Sequence, residues 1–202
     1  IEHAFDYMDT NILGIIRDNI VSVLKTVSYQ NAIENIYRED KTTGLYSAEY
    51  LYGKGKRKID EYTQSSICMF TITNIEEINQ KYGRNIGTKM ILKIANFVKS
   101  SIHSDYIFVR YMGPKFAIAF VGIDGEGATD FLVSLKERIE DIDIELVSKG
   151  KNEKNSKITI VNPETNFVIG SYYKGTGIEE VTKKLEEYLD NSEKTESAIT
   201  SI

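Results

Sequence analysis

The sequence predicts an α/β (α+β) sandwich in which helices flank a central, mostly antiparallel sheet, preceded by one long helix. Three observations support this fold class. From about residue 40 onward, short apolar runs typical of buried strands alternate with stretches of helical periodicity. A Gly-Pro pair separates two of those runs, which is typical of a hairpin. Before residue 39, one periodic stretch continues without a proline.

Length and composition limit the organisation of the chain. At 202 residues and 23.0 kDa, it fits one medium domain with an appendage, or two very small domains. A content of 41% hydrophobic residues excludes disorder over most of the length. No apolar run is long enough to span a bilayer, and the N-terminus does not have the pattern of a signal peptide. We therefore expect a cytoplasmic protein, or the cytosolic part of a larger, membrane-attached protein.

Charge and side-chain chemistry exclude several classes of ligand. The formal net charge of −5 argues against a nucleic-acid binder, and the basic run at residues 54–58 is interpreted as a solvated loop. Two histidines and one cysteine are too few for a zinc site, and no metal or cofactor is expected. Cys68 lies within an apolar run and is interpreted as a reduced core residue.

Residues 9–38 have the pattern of one long amphipathic helix. The apolar positions 13, 16, 20, 23 and 27 alternate spacings of three and four. Asp9 and Thr10 are suitable N-terminal caps, and charged residues at 38–41 mark the end. Such a helix packs on its own domain or pairs with a second copy. The narrow apolar seam favours pairing, so we expect a homodimer through this helix.

The elements after residue 40 follow from apolar periodicity and turn residues. The first part contains a helix over 47–62 interrupted by a glycine and lysine loop, a strand over 66–73 buried on both faces, and helices over 76–81 and 88–101. A hairpin of strands 105–111 and 116–121 follows, and then a helix over 129–139. The last part contains strands over 142–147 and 157–161 around a polar loop at 148–156, a strand over 167–173, and a helix over 178–191 before a loose tail.

Four local sequences point to a known family. Residues 40–46 (Asp-Lys-Thr-Thr-Gly-Leu-Tyr) resemble the D-x-L-T-G-L motif of GGDEF domains, the diguanylate cyclase family. Residues 78–87 resemble its I-N-D-x-x-G-H-x-x-G segment, and residues 110–116 (Arg-Tyr-Met-Gly-Pro-Lys-Phe) stand where the family has R-Y-G-G-D-E-F. Residues 168–170 resemble the later S-I-G strand. The resemblance implies a palm-like nucleotidyl cyclase fold over 39–196, with a signalling helix at 1–38 and a flexible tail at 197–202.

The same resemblance assigns a degenerate signature to Met112, Gly113, Pro114, Lys115 and Phe116. In active members, two acidic side chains hold the divalent cations. Their positions correspond to Thr71 and Pro114, neither of which replaces a carboxylate. Lys115 replaces a further acid, and Met112 replaces a glycine that lets the backbone approach the nucleotide. The sequence therefore predicts no catalytic residue and no metal site.

The family's ligand contacts are only partly retained. Asn79 matches the guanine-binding asparagine, whereas Thr88 replaces the guanine-binding aspartate and offers one hydrogen bond. The inhibitory cyclic di-GMP motif R-x-x-D corresponds to His103 and Tyr106, so its arginine and aspartate are both absent. Lys115 is interpreted as a solvated turn residue, with an anion contact as the alternative. Asn79, Thr88 and Lys115 are therefore the candidates for residual nucleotide binding.

Three functions remain open from the sequence. The first is a catalytically inactive GGDEF-like domain that serves regulation, dimerisation or protein interaction, with an upstream sensor domain or a protein as partner. The second is a non-catalytic receptor for GTP or cyclic di-GMP. The third is an active cyclase that uses other acids such as Glu76 and Glu77, which more simply place favourable charge at a helix N-terminus.

Overall fold

The computed structural model describes residues 7–149, 156–191 and 199–201. The chain divides after Arg38 into a helical unit and a second unit that begins at Glu39. Within the described residues, none of the helices combines the length and apolar character needed to span a bilayer.

The helical unit consists of α1 (Tyr7–Arg38), which begins two residues before the predicted start. Its apolar side chains are largely exposed, with Ile16 at 48%, Ile20 at 54% and Val23 at 61%. The apolar side chains of α1 are therefore not buried by other residues of the same helix.

The second unit alternates helices and strands, as the sequence predicts. In the described residues its helices are α2 (Ala48–Tyr50), a π-helical turn (Leu51–Gly55), α3 (Lys56–Ile59), α4 (Ile75–Tyr82), α5 (Arg84–Ser101), α6 (Gly125–Glu140) and α7 (Ile178–Asn191). Its strands are β1 (Tyr46–Ser47), β2 (Gln64–Ile72), β3 (Ile107–Met112), β4 (Lys115–Phe120), β5 (Ile144–Lys149), β6 (Ser156–Val161), β7 (Thr165–Tyr173) and β8 (Ile199–Ser201).

A six-stranded sheet in the order β1-β3-β4-β2-β7-β8 forms the centre of this unit. The outer pairs β1–β3 and β7–β8 are parallel, and the three inner pairs are antiparallel. The predicted antiparallel-rich sheet with flanking helices is confirmed. Strands β5 and β6 form a separate antiparallel pair, so the two strands predicted around the polar loop pair with each other. Residues 150–155 of that loop lie outside the described residues.

The sheet carries a core on each face because successive strand residues point in opposite directions. One core contains Cys68 and Phe70 of β2 with the apolar faces of α4, α5 and α6. The other contains Ile67 and Met69 of β2 with α3 and α7. Cys68 is fully buried, as expected, and burial raises the pKa of its thiol. The two faces of the sheet matter for function because Lys115 lies on the face that carries α7, whereas Asn79 lies on α4 over the other face.

Three sequence predictions require correction. The helix over 47–62 is not interrupted by a loop, since a π-helical turn joins α2 to α3. Helix α5 begins at Arg84 rather than 88, because Gly83 adopts φ 92° and turns the chain directly from α4 into α5. Ile199–Ser201 forms a strand beside β7 rather than a loose tail. Residues 192–198 and 202 of that predicted tail lie outside the described residues.

Candidate functional site

The hairpin between β3 and β4 brings residues 112–116, which the family resemblance assigns to the signature, beside β2. Thr71 of β2 is directly opposite Lys115 of β4, and the Ile72 amide donates to the Pro114 carbonyl at 3.3 Å. Gly113 adopts φ 55° at the tip, which allows the tight turn before Pro114. Met112 is 60% exposed. The positions that the family resemblance assigns to the metal acids are therefore adjacent in space.

Lys115 is enclosed by two carboxylates of α7. Its Nζ lies 2.7 Å from Glu186 Oε1 and 2.8 Å from Asp190 Oδ1. Only 14% of the Lys115 side chain is exposed, so the interpretation as a solvated turn residue is wrong. Burial lowers the pKa of Lys115, but the bonds to Asp190 and Glu186 outweigh it and leave the pKa above its ordinary value. The ammonium group is therefore firmly charged at neutral pH.

A chain of hydroxyl groups extends this cluster under α7. The Tyr111 hydroxyl contacts Glu186 Oε2 at 3.4 Å, and the Tyr52 hydroxyl donates to Tyr111 at 3.0 Å. The Tyr52 hydroxyl also lies 3.3 Å from Thr182 Oγ1 of α7. Burial, together with Tyr52, raises the pKa of Tyr111. The network keeps Tyr111 protonated and links the π-helical turn, β3 and α7.

The residues at the hairpin do not fit a divalent cation. Magnesium prefers charged oxygen ligands in octahedral geometry. Thr71 offers a neutral hydroxyl, and Pro114 has no side-chain ligand. The nearby carboxylates of Glu186 and Asp190 are already ion-paired with the Lys115 ammonium group. Across the described ranges, no cluster of three or more His, Cys, Asp or Glu residues has the arrangement of a metal site.

A second feature lies between α4 and α5, on the other face of the sheet. A cavity of about 250 Å³ is lined by Glu76, Asn79, Gln80 and Arg84. The Asn79 side-chain oxygen is buried and has no hydrogen-bond partner in the described chain. Gly87 faces it so closely that an added Cβ would lie 2.1 Å from this oxygen. The glycine thus lets α5 pack against the Asn79 amide.

The structure does not bring the three candidate nucleotide contacts together. Thr88 is exposed, and its hydroxyl donates to the Arg84 carbonyl of its own helix at 3.0 Å. Lys115 is paired on the face that carries α7, whereas Asn79 lies on α4 over the opposite core. Only Asn79 of the three lines the cavity between α4 and α5.

The remaining sequence candidates lie at the surface. Glu76 and Glu77 are exposed in the first turn of α4. His103 is exposed, and its Nδ1 lies 3.4 Å from an Asp105 carboxylate oxygen. Tyr106 is half-buried, with its ring 5.0 Å from that of Phe120.

Sequence reasoning missed both groups that complete these sites. Glu186 and Asp190 are more than 70 residues from Lys115, and their only local signal is the spacing of four that places them on one face of α7. Gln80 and Arg84 line the Asn79 cavity. Gln80 lies within the family-like segment, but its direction toward the cavity depends on how α4 meets α5.

The family comparison covers most of the chain. The family model described as diguanylate cyclase, GGDEF domain, matches residues 38–195. Over 109 residues, the chain is 22% identical to the probable diguanylate cyclase DgcT of Escherichia coli strain K12, a region that is 53% of this chain and 24% of DgcT. The chain spans 15% to 24% of the length of the curated relatives that it matches.

Solved structures share the fold at low sequence identity. The coiled coil and GGDEF domain of DgcB from Caulobacter crescentus, in complex with c-di-GMP, matches with a TM-score of 0.68 at 16% identity, covering 95% of this chain and 99% of that one. The diguanylate cyclase SiaD from Pseudomonas aeruginosa, in complex with its activator SiaC, matches with a TM-score of 0.70 at 12% identity, covering 96% and 76%.

Proposed function

Because the chain belongs to the GGDEF family of diguanylate cyclase domains, we propose that it acts as a catalytically inactive member of that family. Its role is regulation, dimerisation or protein interaction in bacterial cyclic di-GMP signalling. The observation that carries the proposal is the ion-paired cluster of Lys115, Glu186 and Asp190 at the signature hairpin.

The cluster opposes catalysis in two ways. Phosphoryl-transfer enzymes position metal cations against the phosphates and stabilise the charge that develops there. Thr71 and Pro114 supply no charged ligand for such a cation. A triphosphate at this hairpin would approach Glu186 and Asp190, which already neutralise Lys115. A second cation of the hairpin, Arg110, donates to the Gly113 carbonyl.

A product assay tests the absence of catalysis. The purified chain is incubated with GTP and either Mg²⁺ or Mn²⁺, and cyclic di-GMP is quantified by mass spectrometry beside an active diguanylate cyclase. We expect no product above the protein-free blank. Metal-dependent formation of cyclic di-GMP would overturn the proposal.

Dimerisation through α1 is the second part of the proposal. Leu13, Ile16, Ile20, Val23 and Val27 form a stripe at heptad spacing, and each is at least 46% exposed. Contiguous exposed apolar surface of this kind marks an interaction site. The matching DgcB structure is described as containing a coiled coil, which supports the same arrangement here.

Light scattering of two matched variants tests the dimer. Ile20→Asp places a carboxylate in the seam, whereas Lys25→Asp places one outside it. We expect the wild type and Lys25→Asp to have about twice the 23.0 kDa chain mass, and Ile20→Asp to have the monomer mass. Equal masses for the two variants would contradict pairing along this seam.

A second candidate function is a nucleotide receptor, and one observation favours it. A buried polar atom without a partner is costly, and the Asn79 oxygen is such an atom beside a cavity. A base that donates a hydrogen bond to this oxygen would remove the cost. Thr88, which replaces the family's aspartate, could offer one further hydrogen bond, and Lys115 would contribute only if it left its two carboxylates.

Calorimetric titration separates the two functions. GTP and cyclic di-GMP are titrated with and without Mg²⁺ into the wild type, Asn79→Ala and the control Asn162→Ala, which alters an exposed residue that does not line the Asn79 cavity. Micromolar binding that Asn79→Ala abolishes and Asn162→Ala preserves would establish a receptor. Absence of heat with all ligands would leave the interaction module as the supported function.

A further inference from the structure

A cavity of about 380 Å³ lies apart from both features of the candidate site. One wall is the opening turn (residues 40–45) with Glu39 and Tyr46, and the other is the segment from the end of α5 to the start of β3. This volume falls within the range of small-molecule sites in proteins.

The floor of the cavity is apolar and aromatic. Leu45 and Phe108 are buried, at 3% and 5% exposure, and Ile102 and Tyr106 pack against the same core. These four side chains line the cavity. A flat or bulky apolar group placed on them would lose its contact with water and gain dispersion contacts.

Two of the described residues that line the cavity carry opposite charges. Lys99 and Glu39 both line it, and both are exposed. No ion pair of 4.0 Å or less joins them, and neither side chain has a hydrogen bond to another described residue. His103 is less available, since its Nδ1 accepts from the Asp105 amide at 3.3 Å and faces the Asp105 carboxylate.

Both walls are fixed by hydrogen bonds of their own. In the opening turn, the Asp40 amide donates to the Leu45 carbonyl at 2.8 Å, and Asp40 Oδ1 accepts from the Thr43 amide at 2.7 Å. In the opposite wall, the Tyr106 amide donates to the His103 carbonyl at 3.1 Å. A preformed cavity loses little conformational entropy when a ligand enters.

We propose that this cavity binds a free amino acid with an aromatic or other large apolar side chain. The ligand carboxylate pairs with Lys99, its ammonium group pairs with Glu39, and its side chain packs on the apolar floor. A phosphodiester ligand is disfavoured, because its negative charges would meet Glu39, and among the described residues only Lys99 lines the cavity with an ammonium group. The site is independent of the proposed function.

L-Tryptophan is a suitable probe because the chain has no tryptophan of its own. The anisotropy of L-tryptophan emission is measured as the full chain is added, and the same titration is made with tryptamine and indole-3-propionate. Tryptamine lacks the carboxylate, and indole-3-propionate lacks the ammonium group. We expect saturable binding of L-tryptophan and about tenfold weaker binding of each analogue, since each loses one charge-assisted contact.

Charge-removing variants identify the partner of each ligand group. Lys99→Gln should abolish the preference for L-tryptophan over tryptamine, and Glu39→Gln should abolish the preference over indole-3-propionate. The controls Lys183→Gln and Glu187→Gln change exposed residues of α7 and should leave all three affinities unchanged. A general loss of structure would weaken all ligands alike, so this crossed pattern is specific to the proposed contacts.

Three results would overturn the proposal. They are no anisotropy change at millimolar protein, equal affinity for the three probes, and an unchanged ligand preference in both Lys99→Gln and Glu39→Gln. Displacement of bound L-tryptophan by cyclic di-GMP at lower concentration would also count against it, because the cavity would then favour an anionic dinucleotide.

Discussion

The hairpin between β3 and β4 and the contact between α4 and α5 both contain residues that the family resemblance assigns to the site, and the two regions differ in how their polar groups are paired. At the hairpin, the Lys115 cation has carboxylate partners at 2.7 and 2.8 Å. Between α4 and α5, Asn79 is retained, and its oxygen is buried without a partner. In the first region the charge of Lys115 is paired within the protein, whereas in the second the Asn79 oxygen has no partner among the described residues.

Under the proposed function, this difference illustrates how a family's chemistry can be lost while its fold is kept. The family resemblance has acids at the positions of Thr71 and Pro114, which carry no charge here. Lys115 neutralises the carboxylates that α7 brings to the hairpin. Burying the Asn79 oxygen without a hydrogen-bond partner costs less free energy than burying an unpaired charge. Among the described residues, each region contains one buried polar atom without a hydrogen-bond partner, Asn79 Oδ1 between α4 and α5 and Arg110 Nη1 on β3.

Charge reversal at the hairpin is expected to have the largest effect. Lys115→Glu restores an acid at the family position but places it against Glu186 and Asp190. We expect the free energy of unfolding to fall by about 3 kcal/mol, measured by urea denaturation. Lys115→Glu with Glu186→Lys should recover part of the loss.

The matched control for this reversal is Lys183→Glu on the exposed face of α7. Its side chain is 76% exposed, so a change below about 0.5 kcal/mol is expected. Similar losses for the two reversals would mean that the Lys115 cluster contributes no more than an ordinary surface charge.

Steric pressure between α4 and α5 should have the next largest effect. Gly87→Ala places a Cβ 2.1 Å from the Asn79 oxygen, and we expect a loss of about 2 kcal/mol from overpacking. Gly53→Ala is the control, since no heavy atom lies within 4 Å of its added Cβ. Combining Gly87→Ala with Asn79→Ala should recover most of the stability, and failure to recover would place the strain elsewhere.

Alkaline pH tests how much the charge of Lys115 stabilises the hairpin. The pKa of Lys115 is raised above 10.5, so its stabilisation is complete below pH 10.5 and is lost as pH rises through the folded-state pKa. We expect the free energy of unfolding of the wild type to exceed that of Lys115→Met by about 1.5 kcal/mol at pH 7 and pH 9. This difference should become smaller at pH 11. A difference that stays constant would show that packing, not charge, is lost in Lys115→Met.

Removal of the Asn79 side chain should have the smallest effect. Because its oxygen has no partner, Asn79→Ala should change the free energy of unfolding by less than about 1 kcal/mol. Asn74→Ala should cost more stability, because the Asn74 side chain has two hydrogen bonds. Its Nδ2 donates to the Asn162 carbonyl at 3.0 Å, and its Oδ1 accepts from the Glu164 backbone amide at 3.1 Å. A larger loss for Asn79→Ala than for Asn74→Ala would contradict the account of the α4–α5 contact.

Regular elements were predictable because their signal is local. The bounds of α7 agree with the prediction, and β2 was correctly predicted as a strand buried on both faces. The π-helical turn, the start of α5 at Arg84 and the short strand β8 were not predicted. Each of these depends on a backbone conformation or a distant pairing that leaves no periodic pattern in the sequence.

Sequence alone determined the fold class, the family resemblance and the uncharged residue types at Thr71 and Pro114, because apolar periodicity and residue identity are read directly from the chain. Only the tertiary structure decided the state of Lys115, since its partners Glu186 and Asp190 reach it across the layer formed by α7 and the sheet. It likewise decided that Asn79 faces Gly87. A side chain's charge is fixed by its identity, but whether that charge is free or neutralised depends on which distant residues the packing brings within a few ångströms.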